Sequence, residues 1–166
     1  MPELRLMVER STESEVEMGA IVVGFDGSEG SLRALRWAAD EGRLRSAQLR
    51  VVFAWEYPVN LWAGAGWAIP DGAMLSDFHE LAEERLERAL AEAGPALDGL
   101  QVERSVIEGA AAPALLEAAK GAELLVVGSR GHGGFAGLLL GSVSQQCAHH
   151  APCPMVIIAP EREANE

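Results

Sequence analysis

The sequence predicts an α/β domain built on a five-stranded parallel sheet with helices on both faces. Short apolar runs rich in Val and Ile recur along the chain, and stretches with helical spacing alternate with them. Most of the runs are nearly continuous in apolar residues instead of alternating with polar ones. Strands buried on both faces read that way, and right-handed crossovers place helices on both sides of such a sheet.

Ala20-Ile-Val-Val-Gly24 is the first strand, and Phe25-Asp26-Gly27-Ser28 is the turn that follows it. Ser28 is placed to cap a helix running to about Leu44, with Glu29 at its positive end and Leu32, Leu35 and Ala39 at helical spacing. Leu49 to Trp55 is the second strand, and residues 56–72 read as a long loop. From Ala73 to Ala93 the longest helix places Leu75, Phe78, Ala82, Ala89 and Ala93 on one face. Gln101 to Ile107 is the third strand. Pro113 fits the first turn of the next helix and Gly121 fits just past its end. Leu124 to Gly128 is the fourth strand, a helix is expected from Ser142 to His150, and Pro154 to Ala159 is the fifth strand.

A chain of 166 residues, 49% apolar and 23% charged, fills one core but is short for two. The expected organisation is a Glu-rich extension over residues 1–18, one domain over 19–160 and a tail over 161–166. The formal charge of −12 argues against nucleic acid and anionic membrane as partners, since both attract Lys and Arg. No run reaches the length of a membrane helix, and the acidic start lacks the features of a signal peptide. The two cysteines, Cys147 and Cys153, form no disulfide framework. The cytoplasm is the expected compartment.

The chemistry concentrates between Gly128 and Ser144. Six glycines lie from Gly128 to Gly141. They allow positive φ and close approach of backbone to a ligand, and the helix start after them offers unpaired N–H groups for phosphate. Ser142 and Ser144 can donate hydroxyl hydrogens, and Arg130 is the loop's permanent cation. The competing reading is a connector with a Ser142–Gln145 capping box.

The spacing Gly128-x2-Gly131-x9-Gly141-Ser142 resembles the G-2x-G-9x-G-(S/T) motif of ATP-binding universal stress proteins. The flanks resemble that family too: Ile21 to Ser28 its opening, Glu123 to Gly128 its fourth strand, and Ala151 to Ile158 its last. The resemblance spans about residues 19 to 160. It implies an adenine nucleotide alpha hydrolase-like fold with strand order 3-2-1-4-5, so that Asp26 faces the Gly128 loop at the switch point. It also implies ATP, with Mg2+ or Mn2+ held through its phosphates. Asp26 would contact the adenosine, Ala54 would border the base, and Gly128, Gly131, Gly141 and Ser142 would hold the phosphates, with Arg130, Val143 and Ser144 beside them. Glu123 stands where Asp is usual in the family.

Function is then nucleotide-responsive binding with little or no catalysis. A slow ATPase, or a member preferring AMP or a cyclic nucleotide, is the alternative. Phosphoryl transfer wants a cation on the transferring phosphate, and the single lysine, Lys120, precedes the fourth strand. No P-loop motif occurs, and the clustered acids and late lysine of a receiver domain are missing. Trp62 and Trp67 in the long loop are read as a lid or as anchors on the long helix. His132 is read as touching phosphate or water, His149 and His150 as helix-terminal, and no spacing marks a zinc site. The fifth strand, Met155 to Ala159, would be an exposed sheet edge that invites a homodimer.

Overall fold

The computed structural model describes residues 19–56, 72–131 and 139–160. The expected loop with Trp62 and Trp67, His132, and the terminal segments 1–18 and 161–166 lie outside the described residues.

The chain runs β1 (Ala20–Phe25), α1 (Glu29–Arg45), β2 (Gln48–Trp55), α2 (Gly72–Glu92), α3 (Gly94–Leu97), β3 (Val102–Glu108), α4 (Ala111–Ala118), β4 (Leu124–Gly128), α5 (Ser142–His150) and β5 (Met155–Ile158). The sheet has the expected order β3-β2-β1-β4-β5, and every pair is parallel. Alternate residues of the central strands feed two separate cores. Ile21, Val23 and Phe25 pack with Leu35, Ala38, Leu86 and Leu90 on the α1–α2 side, while Val22, Leu125 and Val127 pack with Leu115 and Cys147 on the α4–α5 side.

Ser28 caps α1 as expected: its Oγ accepts the Ser31 N–H at 3.2 Å. Glu29 in the first turn pairs with Arg33 at 2.9 Å. Gly121 closes the α4–β4 connection at φ 74°, a left-handed conformation that favours glycine.

Three expectations need correction. The short α3 is an element the sequence reading lacks; Pro95 falls in its first turn, where a missing N–H costs nothing. The buried face of α2 includes Leu86 and Leu90 as well as Ala82 and Ala89, and Ala93 is buried just past its end. The last strand ends at Ile158, one residue short of Ala159. No helix among the described residues is long and apolar enough to cross a membrane.

Candidate functional site

Strands β1 and β4 are neighbours whose connections leave in opposite directions, β1 on to β2 and β4 on to β5. Beyond their C-terminal ends the crossovers diverge and open a cleft. Its volume is about 570 Å³. All nine residues singled out in the sequence line it: Asp26, Ala54, Gly128, Arg130, Gly131, Gly141, Ser142, Val143 and Ser144. Glu123 does not; its backbone N–H bonds Ala20 at the other end of the sheet.

Asp26 leaves β1 at the cleft's rim and is exposed. Its Oδ1 accepts the Ser28 N–H at 2.9 Å in an Asx turn. Its Oδ2 lies where a side chain on Gly131 would project, so the two strand ends are in contact across the cleft. A Cβ on Gly128 would lie 2.8 Å from the carbonyl carbon of Gly30 and 2.9 Å from its oxygen. Glycine at 128 therefore lets β4 close against the start of α1.

The two feet of the glycine-rich segment are fastened together. The carbonyl of Ser129 accepts the Gly141 N–H at 2.7 Å and the Ser144 hydroxyl at 2.8 Å, and the same hydroxyl lies 3.0 Å from the carbonyl of Gly141. Ser129 in turn donates its N–H to Ile158 of β5 at 2.8 Å. Both serines are buried.

This corrects three local readings. Ser144 has one hydroxyl hydrogen, and in the structure it is given to the loop base and not turned into the cleft. Gly141 is the N-cap of α5 with φ −79° and ψ 169°, an extended conformation open to any residue, and neither Gly128 nor Gly131 has positive φ. The Ser142–Gln145 capping box is absent: Ser142 is already helical, and Gln145 donates its N–H to the carbonyl of Gly141 at 2.9 Å. Helix α5 consequently begins with no side-chain cap, and its first-turn N–H groups open towards the cleft beside exposed Ser142.

Sequence reasoning missed the cleft's floor. Val52, Leu115 and Val127 make it apolar, Ser31 lies on the wall, and α4 begins there at Ala111, also without a side-chain cap. The signal was available in the strand periodicity: Val52 and Val127 fall on the α4–α5 face at the strand ends. Arg130 and Asp26 are the ionisable side chains among the described lining residues. Among the described residues no group of three His, Cys, Asp or Glu is arranged to hold a metal ion.

These features define a doubly wound parallel α/β domain whose cleft sits at the topological switch point. The sequence pattern of the Universal stress protein family matches residues 18–159, and the chain belongs to that family. Universal stress protein Rv2623 of Mycobacterium tuberculosis is 37% identical over 148 residues, covering 85% of this chain and 48% of the relative. Universal stress protein Rv1996 of the same organism is 33% identical over 155 residues, covering 85% of this chain and 48% of the relative. The chain thus spans about half the length of the curated relatives it matches. Among solved structures, a universal stress protein in complex with cAMP is 30% identical with a TM-score of 0.53, covering 84% of this chain and 95% of that one. The fold is shared more widely: UspA from Lactobacillus plantarum superimposes with a TM-score of 0.66 at 18% identity, covering 84% and 97% of the two chains.

Proposed function

We propose that this universal stress protein domain binds an adenine nucleotide in the cleft and acts as a nucleotide-responsive factor with little or no catalysis. The observation that carries the reading is the convergence of Asp26, Gly128, Gly131 and the uncapped first turn of α5 on one cleft. Phosphates sit against the N–H groups of Ser142, Val143 and Ser144, favoured by the positive end of the helix. Arg130 adds a charged donor and Ser142 a hydroxyl. The base lies over Val52, Leu115 and Val127 beside Ala54, with Asp26 at the adenosine end.

ATP fits this donor set as its metal complex, since the one carboxylate among the described lining residues cannot form a protein cage for Mg2+ or Mn2+ and the ion would ride on the phosphates. The metal would supply charge neutralisation that a single arginine does not. Phosphoryl transfer needs more cationic help than Arg130. Lys120 lies before β4, at the far end of the sheet, paired with Glu117 at 2.6 Å. Turnover well below about one per minute is expected, with affinity micromolar or weaker.

A second reading, AMP or a cyclic nucleotide, is favoured by the charge of the lining. Among the described lining residues one cation and one anion nearly cancel, which suits a ligand with fewer charges than a triphosphate. A relative 30% identical was solved with cAMP. Nucleotide released from the purified protein and identified by mass analysis, followed by calorimetry with ATP-Mg, AMP and cAMP, decides between the readings. Asp26→Ala should weaken all three while leaving inorganic polyphosphate nearly unaffected. If none of the nucleotides binds, the proposal fails.

The free thiols of Cys147 and Cys153 suit a reducing compartment, and the cytoplasm is the compartment we assign. Assembly as a homodimer through β5 is part of the same proposal.

A further inference from the structure

A second cavity, of about 360 Å³, lies at the C-terminal end of β1 on the α1–α2 side of the sheet. Its size falls within the range of small-molecule sites. Phe25 and Phe53, both buried, meet there with ring centroids 6.1 Å apart and planes inclined by 38°. Leu32 and Ala89 complete an apolar wall, held by the packing of two helices on the sheet.

One rim of this cavity carries Arg85 and Arg88 of α2. Three residues apart, they share a helix face and repel one another. Both are exposed, and neither makes an ion pair or hydrogen bond among the described residues. For Arg85 the helix offers no acidic partner, since the residues three and four positions away are Leu81, Ala82, Arg88 and Ala89. Arg88 has Glu84 and Glu92 four positions away and pairs with neither. Elsewhere on the same helix Glu83 pairs with His79 and Glu87 with Arg104. In a chain with 25 acidic and 13 basic residues, two guanidinium groups that form no ion pair among the described residues, at the rim of a cavity with an aromatic wall, are a matched pair of donors for an anion.

Asp26 and Glu92 also line the cavity, and Asp26 is held by the Ser28 N–H. Their charges oppose any second negative group. We propose that this cavity binds a small aromatic or branched monoanion, an acid with one carboxylate-like group, its apolar body against Phe25 and Phe53 and its charge on Arg85 and Arg88. The cavity opens on the α1–α2 side of the sheet and shares only Phe25 and Asp26 with the nucleotide cleft, and the proposal does not rest on nucleotide binding.

The test uses the full chain and two fluorescent probes of the same shape: 8-anilinonaphthalene-1-sulfonate, a monoanion, and N-phenyl-1-naphthylamine, its uncharged counterpart. The expected result is saturable one-to-one binding of the sulfonate that persists in excess ATP. Arg85→Gln and Arg88→Gln should each weaken the sulfonate by roughly tenfold and leave the neutral probe unchanged, because each removes a charge-assisted contact and no apolar wall. Arg85→Lys should fall between, since it keeps the charge and loses the fork. Circular dichroism and melting of the variants confirm that they fold, as exposed helix positions should allow. Absence of sulfonate binding, displacement by ATP, unchanged affinity in both arginine variants, or equal losses for the two probes would each overturn the proposal.

Discussion

The hydroxyl of Ser144, buried in the first turn of α5, donates to the carbonyl of Ser129 at the end of β4, 2.8 Å away. It joins the two ends of the glycine-rich segment, so the helix start and the strand end are positioned as one piece. Ser144→Ala removes that donor but leaves the Gly141 N–H on the same carbonyl. We expect a loss of about 1 kcal/mol in denaturant unfolding, the usual worth of one buried hydrogen bond. Ser142→Ala, at an exposed position, should leave unfolding nearly unchanged and act on nucleotide affinity alone. Equal stability of the two variants would mean the hydroxyl does not fasten the loop.

The fixed glycines separate by what a Cβ would meet. On Gly128 it would press into the backbone of Gly30, which cannot move without shifting α1, so Gly128→Ala should cost about 1–3 kcal/mol of stability. On Gly131 it would displace only the exposed carboxylate of Asp26, a side-chain end that can swing aside. Gly131→Ala should therefore fold and melt nearly as the parent does, yet bind nucleotide more weakly. Thermal unfolding beside calorimetry separates the two effects. A Gly131→Ala protein that binds nucleotide at parental affinity would free Asp26 from any role there.

The alternation of strands and helices was legible in periodicity, whereas the strand order and the position of the cleft followed from the family resemblance carried by the glycine spacing and its flanks. The roles of individual groups were less so. A serine in the first turn of a helix, such as Ser144, looks the same whether its hydroxyl faces a ligand or turns back to a carbonyl; only the approach of Ser129 from another element decides. Gly141 shows the same limit. Its spacing suggests a conformational demand, but its backbone is extended and a Cβ would rest 3.5 Å from the Cα of Arg130, an ordinary contact. Gly141→Ala should consequently be tolerated by the fold, and any loss of affinity in Gly141→Val would come from bulk at the cleft wall. Leu86 and Leu90 were missed because α2 is rich in charge on either side of them, and their burial depends on how the helix rolls against the sheet.

Burial raises the pKa of both cysteine thiols. Desolvation disfavours the thiolate, so the native state holds its protons to higher pH than the unfolded chain. Stability is then fully present below the unfolded value and falls as pH rises through it, from about pH 8.5 upwards. Native protein at pH 8 should react slowly with a disulfide reagent, Cys147 more slowly than the half-buried Cys153, and both quickly in denaturant. Rapid native labelling of Cys147 would place it at an opening in the α4–α5 layer.

The two edges of the sheet differ in a way that bears on assembly. Strand β3 carries Glu103 and Arg104, charges of the kind that discourage pairing with another chain. Strand β5 is Met155-Val-Ile-Ile158, half-buried and uncharged. The Leu125 N–H donates to Pro154 and the Ser129 N–H to Ile158, so in this parallel register the even-numbered residues of β5 bond to β4. The N–H groups of Met155 and Ile157 point away from the sheet. If two copies pair through this edge as proposed, Ile157→Pro removes an outward donor and puts a ring in the interface without breaking the ladder to β4, whereas Val156→Pro breaks that ladder. Sedimentation should show the Ile157→Pro protein shifted towards monomer and still folded by circular dichroism, and the Val156→Pro protein destabilised in itself. A parent that sediments as a monomer, or an Ile157→Pro protein that remains fully dimeric, would exclude β5 as the interface.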